Sequence, residues 1–185
     1  MVAKITEFKI TQTAIPGLLE IDITLIEDER GYFQEKFQKE KLVALGFPKS
    51  FAPVQQNISY NREVGVTRGL HAEPWEKYIS VISGSIYGVF VDLRKGDSFG
   101  KKTAIVIDAT KAVFVPQGVA NSFQTLETDT YYSYLVNAYW SEENSNQYKF
   151  VNLADPDLAI DWPISLDKAI ISEKDRKNPM LKDIK

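Results

Sequence analysis

The 185-residue chain contains no cysteine and a single histidine. The first absence excludes disulfides and thiolate-held metals. The second leaves a transition metal mostly carboxylate ligands, which suit harder ions. No apolar run approaches the roughly 20 residues that cross a bilayer. The N-terminal MVAKITEFKI alternates charged and apolar residues and has no apolar segment of signal-peptide length. A cytoplasmic protein without membrane contact is expected. Runs of Lys or Arg are also missing, and 22 basic against 25 acidic residues leave a net charge of -3. With a pI near 5.3, this balance argues against a nucleic-acid surface that tracks phosphates. Repeats, low-complexity tracts and linkers are absent too, so residues 1–185 read as one domain.

What is present is rich in β signals. Short runs of apolar, aromatic and β-branched residues recur between turn residues, the pattern of a sandwich or barrel. Strands are predicted over residues 4–11, 18–26, 32–37, 52–59, 66–71, 77–82, 85–93, 103–107, 112–115, 121–126 and 131–137. The runs 77–82 and 85–93 flank Gly84 and read as a hairpin. A short helix is predicted over 38–45, closed by Gly46 and Pro48. Another opens at Ser172, where Asp175 three residues on resembles a capping box. So many short strands in a unit of this length resemble a mainly β, double-stranded β-helix (jelly-roll) barrel with short helices near its N- and C-terminal parts. That statement carries no function by itself.

The one histidine, His71, sits in GVTRGLHAEPWEKYISVISG, residues 65–84. Imidazole is the side chain whose unperturbed pKa lies near neutrality, so proton chemistry here falls to His71. The spacing resembles the first motif of the cupin barrels. On that frame His71 takes the first metal-ligand position, Glu73 the second, and Lys77 the place of the ligand Glu. A lysine donates and does not bind a cation. The second cupin motif appears as Pro116-Gln117-Gly118-Val119-Ala120-Asn121, with Asn121 in place of the ligand histidine. The expectation is a cupin barrel whose metal site is replaced by organic acid–base groups, with no metal bound.

Five markers extend the likeness: Asp28-Glu29-Arg30-Gly31-Tyr32-Phe33-Gln34-Glu35, Gln55-Gln56-Asn57-Ile58-Ser59, Arg68-Gly69-Leu70-His71, Val91-Asp92-Leu93-Arg94 and Ser172-Glu173-Lys174-Asp175. In this order they resemble the dTDP-4-dehydrorhamnose 3,5-epimerase family over residues 15–181. The resemblance implies 3,5-epimerisation of dTDP-4-dehydro-6-deoxy-D-glucose to dTDP-4-dehydro-L-rhamnose, in dTDP-L-rhamnose biosynthesis. It implies no cofactor, because the substrate carbonyl is the electron sink, and a homodimer whose N-terminal strands exchange between subunits. By resemblance His71 is the base, Asp175 its partner and Tyr134 the acid. Lys77 and Arg68 supply positive charge near the enolate oxygen or the phosphates. Arg30 and Arg68 match diphosphate contacts; Phe33, Glu35, Gln55 and Asn57 match the lining of the nucleotide and sugar pocket. Tyr139 and Trp140 fall where aromatics lie beside the thymine or sugar.

The chain departs from the family at Asn121, where many members carry a histidine near the sugar, and at Trp140, where many have tyrosine. The rim between His71 and Lys77 is also shorter than the common form. These departures bear on which sugar is accepted. Other readings are a single-site epimerase or a ketoisomerase of a related deoxysugar pathway, and a cupin that binds a ligand without catalysis.

Overall fold

The computed structural model describes residues 4–184. Two six-stranded sheets and one three-stranded sheet make up the β structure. The three-stranded sheet joins β1 (Lys4–Thr6), β4 (Thr24–Asp28) and β5 (Gly31–Glu35) in that order. One larger sheet runs β2 (Lys9–Gln12), β3 (Leu19–Asp22), β11 (Lys111–Val115), β8 (Lys77–Ser83), β13 (Thr130–Val136) and β6 (Gln55–Asn61). The other runs β10 (Lys102–Ile107), β9 (Ile86–Asp92), β12 (Val119–Thr125), β7 (Val66–Ala72) and β14 (Lys149–Phe150), with β15 (Ile170–Ile171) parallel to β7.

The two large sheets pack through inward residues from both: Ile79, Val81, Val113 and Val115 from one, Ile86, Phe90, Ile107 and Phe123 from the other. Successive strand side chains point to opposite faces, so Tyr78 and Phe114 point outward beside inward Ile79 and Val115. There they meet Phe47, Phe51 and Leu42 in a second core, with rings of Phe47 and Phe114 edge to face at 4.9 Å. A third core covers the outer face of the other sheet, where Leu153, Leu158 and Leu181 pack on Leu70, Val89 and Val91. Both faces of the central strands are therefore dry, which accounts for unbroken apolar stretches such as that in β9.

Gly84 does not close a hairpin. β8 pairs with β11 and β13, whereas β9 pairs with β10 and β12, so the chain crosses between sheets there. Gly84 has φ +82° and lies against Thr130, where a Cβ would come within 2.3 Å of the hydroxyl. A tight glycine turn looks alike in sequence whether the chain returns to its own sheet or enters the next. The expected strand 4–11 divides into β1 and β2, and 18–26 divides at Ile23, whose N–H donates instead to Thr110 O at 2.8 Å. Helix α1 (Lys39–Ala44) is capped by the Gln38 side chain, which accepts from Lys41 N–H. Helix α2 (Glu173–Arg176) is capped by Ser172, whose hydroxyl accepts from Asp175 N–H at 3.1 Å. The Asp175 carboxylate itself reaches His71.

Candidate active site

A cavity of about 230 Å³ opens between the two large sheets, lined by Ser59, Arg68, His71, Glu73, Lys77, Asn121, Phe123, Tyr132 and Tyr134. His71 enters from β7. Its Nε2 lies 2.7 Å from Asp175 Oδ1, joining residues 104 positions apart in sequence. Asp175 is only 5% exposed. Burial raises its carboxyl, but hydrogen bonds and charge from His71, with hydrogen bonds from Ser172 and the Gly69 backbone, outweigh that and hold it below the ordinary carboxylate range. An ionised carboxylate only accepts, so the shared proton belongs to Nε2, and Nδ1 is the ring nitrogen that takes no part in this bond. Phe150 packs edge-on against the imidazole at 5.2 Å and limits its rotation.

Arg68 and His71 both reach the cavity although they are three residues apart, a spacing that places side chains on opposite faces of a regular strand. The register explains this: His71 pairs with Asn121 and Arg68 with Phe123, so Gly69 and Leu70 together oppose Ser122 alone. This is a β-bulge, which re-aims the side chains beyond it. Glycine is required at its first residue. Gly69 has φ +124°, and a Cβ would meet Ser122 Cβ at 2.5 Å and Ser122 Cα at 2.6 Å. Ser122 Oγ closes the bulge by donating to Arg68 O at 2.6 Å.

The opposite sheet supplies Lys77 and Tyr134. Lys77, 5% exposed, donates to Asn121 Oδ1 at 2.7 Å and forms an ion pair with Glu73. Its ammonium also lies 5.6 Å from the centre of the Tyr134 ring. The Tyr134 phenol is pushed up by burial and then by the Glu73 charge, against hydrogen bonding from Asn57 and the charge of Arg68. It therefore remains a protonated donor at neutral pH. Tyr132 is buried, stacked on Phe123 at 4.4 Å, and its phenol is pushed up mainly by burial. Among the described residues no cluster of three or more His, Asp or Glu is spaced to hold a metal ion.

The structure thus brings His71, Asp175, Lys77, Tyr134, Arg68 and Asn121 together. Asn57 and Gln55 run outward from Tyr134 along β6. Gln55 donates to Asn57 Oδ1 at 2.9 Å and accepts from Trp140 N–H at 3.2 Å, which ties the exposed Trp140 and its neighbour Tyr139 to the rim. Arg30, Phe33 and Glu35 do not line the cavity. They belong to the β4–β5 hairpin of the three-stranded sheet, where Arg30 in the turn pairs with Asp28, Glu35 pairs with Lys41 at 2.7 Å, and Phe33 is 66% exposed. Sequence reasoning did not assign roles to Glu73, Ser59, Tyr132 or Phe123. The signal for Glu73 was its place on the cupin frame; the other three carry none apart from strand alternation.

A family profile described as dTDP-4-dehydrorhamnose 3,5-epimerase matches residues 12–183. The chain is 52% identical over 175 residues to a protein named RmlC homolog from Streptococcus pyogenes serotype M6, covering 92% of this chain and 88% of that one. It is 34% identical over 177 residues to the dTDP-4-dehydrorhamnose 3,5-epimerase of Methanothermobacter thermautotrophicus, covering 92% of each. Its structure is similar to that of RmlC from Streptococcus suis in complex with dTDP-D-xylose, with a TM-score of 0.92 and 51% identity over 97% of this chain and 94% of that one.

Proposed function

The chain belongs to the dTDP-4-dehydrorhamnose 3,5-epimerase family and is an isomerase; from this premise we propose that it inverts C3 and C5 of dTDP-4-dehydro-6-deoxy-D-glucose, giving dTDP-4-dehydro-L-rhamnose. The observation that carries the reading is the meeting of a carboxylate-held imidazole from one sheet and a protonated phenol from the other across one cavity. Epimerisation beside a ketone needs a base on one face, an acid on the other, and a partner for the enolate between them.

His71 Nδ1 takes the proton from the carbon flanking the ketone, and the C–H electron pair moves through the carbonyl to its oxygen. Asp175 stabilises the imidazolium that forms. Tyr134 returns a proton to the opposite face as the enolate collapses; the imidazolium then releases its proton to solvent and the phenolate regains one. Lys77 and Arg68 place positive charge beside the developing oxyanion and the phosphates. The chemistry calls for no cofactor, since the ketone itself accepts the electron pair.

The proposed assembly is a cytoplasmic homodimer of single-domain chains. Arg30, Phe33 and Glu35 lie outside their own cavity on an exposed sheet, an arrangement suited to presenting them to the cavity of a second copy. Phe33, Tyr139 and Trp140 then offer aromatic faces to the base or sugar.

The test is incubation of the protein with the dTDP-4-keto sugar in deuterated water, followed by NMR. Label is expected at both carbons flanking the ketone, with the carbonyl unmoved. Absence of exchange would overturn the proposal. Label at one carbon alone would assign a single-site epimerase, and a displaced carbonyl a ketoisomerase.

A further inference from the structure

The proton transfers described above leave Glu73 without a part, although it is one of the few charged groups in the cavity. Its side chain is 15% exposed and faces a lysine that is more deeply buried still. Glu73 lies just beyond β7 in one sheet and Lys77 opens β8 in the other, so their ion pair spans the mouth of the barrel. The hydrogen bond from Lys77 to Asn121 on β12 spans it as well.

An ammonium group carries three N–H donors in fixed tetrahedral directions. One is committed to Asn121. The Glu73 carboxylate lies against the same ammonium as its ionic partner, without taking an aligned hydrogen bond from it. The hydrogen bond and the ion pair together hold the ammonium at the barrel mouth, with its remaining N–H groups left for the cavity that Lys77 lines with His71 and Tyr134. We propose that Glu73 is a positioning residue, which holds the Lys77 ammonium by charge so that an uncommitted N–H addresses the carbonyl oxygen of the substrate.

That oxygen is where charge gathers as His71 removes the proton, so the value of Lys77 depends on its direction in the transition state. An unanchored lysine, with four rotatable carbons, would sample many directions at this site. The carboxylate supplies the counter-charge that a buried ammonium needs. The same carboxylate raises the phenol of Tyr134 after burial does, which favours the protonated acid. Glu73 therefore bears on both the electrophile and the acid.

The inference rests on the epimerase reading, and one set of measurements separates the two. Steady-state kinetics and deuterium exchange on the dTDP-4-keto sugar are compared for wild type, Glu73→Ala and Glu73→Gln, with melting temperatures confirming that each variant is folded. Glu73→Ala is expected to lower kcat about 10–100-fold, the scale of a displaced catalytic group, with KM within about threefold of wild type. Glu73→Gln keeps the shape of the side chain and an oxygen beside Lys77, and is expected to recover kcat to within about fivefold of wild type, on the same reasoning. A merely structural role would lower the melting temperature and leave kcat per folded molecule intact; that result overturns the inference, as does a glutamine variant no better than alanine. Wild-type protein that exchanges no deuterium overturns the epimerase reading and this inference together. Wild type that exchanges, with a fully active Glu73→Ala, overturns the inference alone.

Discussion

The cavity between the two large sheets and the exposed three-stranded sheet carry residues matched to the same family pocket, yet they are built in opposite ways. In the cavity, His71, Asp175, Lys77 and Asn121 are each held by a partner at hydrogen-bond distance, and all but the half-buried His71 are withdrawn from water. On the small sheet, Arg30 pairs with the carboxylate two residues before it, with its side chain 84% exposed, and Phe33 packs on little. Preorganised groups act on charge that appears during the reaction. Exposed flexible groups act on a ligand by being ordered when it arrives. In the function proposed above, turnover belongs to the first region, and capture of the sugar nucleotide draws on the second together with Arg68 of the cavity.

The strongest way to break this division is at the base. His71→Ala is expected to lose at least about two orders of magnitude in kcat, the usual scale of a general base, with the binding of dTDP by calorimetry little changed. Lost dTDP binding would instead give the cavity a large share in capture. Next in size is Gly69→Ala, which forces a Cβ against the Ser122 backbone at a positive φ. It is expected to cost about 2–4 kcal/mol of stability by urea denaturation and to lower kcat in the folded fraction as well, because the bulge aims His71. Unaltered kcat in that fraction would uncouple the bulge from the site.

A smaller effect is expected on the other side. Arg30→Ala should raise KM roughly tenfold, as for one lost charge-assisted contact of about 1.4 kcal/mol, with kcat nearly unchanged. If the two regions meet between subunits, mixed dimers of Arg30→Ala and His71→Ala chains regain one intact site, and activity above the sum of the parents is expected. The gentlest probe is acid. The Asp175 carboxyl is lower in the folded chain than in the unfolded one. Its ionic contribution to stability is therefore present above the unfolded value, about 3.9, and is lost as pH falls through the folded value. The gap in melting temperature between wild type and Asp175→Asn should be open near neutrality and narrow as the pH drops below about 4. A gap that stays constant would show that the pair is not ionic.

Much of the barrel was readable in the chain because turn residues and short β runs are local signals. Strand pairing is not local, which is why Gly84 suggested a hairpin where the chain crosses to the facing sheet. Ile23, one more apolar step between Asp22 and Thr24 in an alternating run, gave no warning that its N–H leaves the ladder for Thr110. At the site, Ser172 announced a cap, yet the partner of the Asp175 carboxylate lay 104 residues away, where the family resemblance named His71 and no spacing rule could have done so. Lys77 was expected to point inward on the cupin frame and does so. Its pairing with Glu73 required the geometry of two sheets. Arg30 and Phe33 marked the family without marking a place, because in a single chain they touch nothing of the cavity.

The bulge at Gly69 also sets what could be moved to another protein. A designer who grafts a histidine and an aspartate onto a regular barrel strand would obtain the pair without the neighbouring arginine, since strict alternation sends one of them to the outer face. The transferable unit is four residues read against three, Arg68 to His71 opposite Asn121 to Phe123, with a glycine at the skipped step and a small hydroxyl residue facing it. Scaffolds that crowd that step, however well they match elsewhere, are unsuitable hosts.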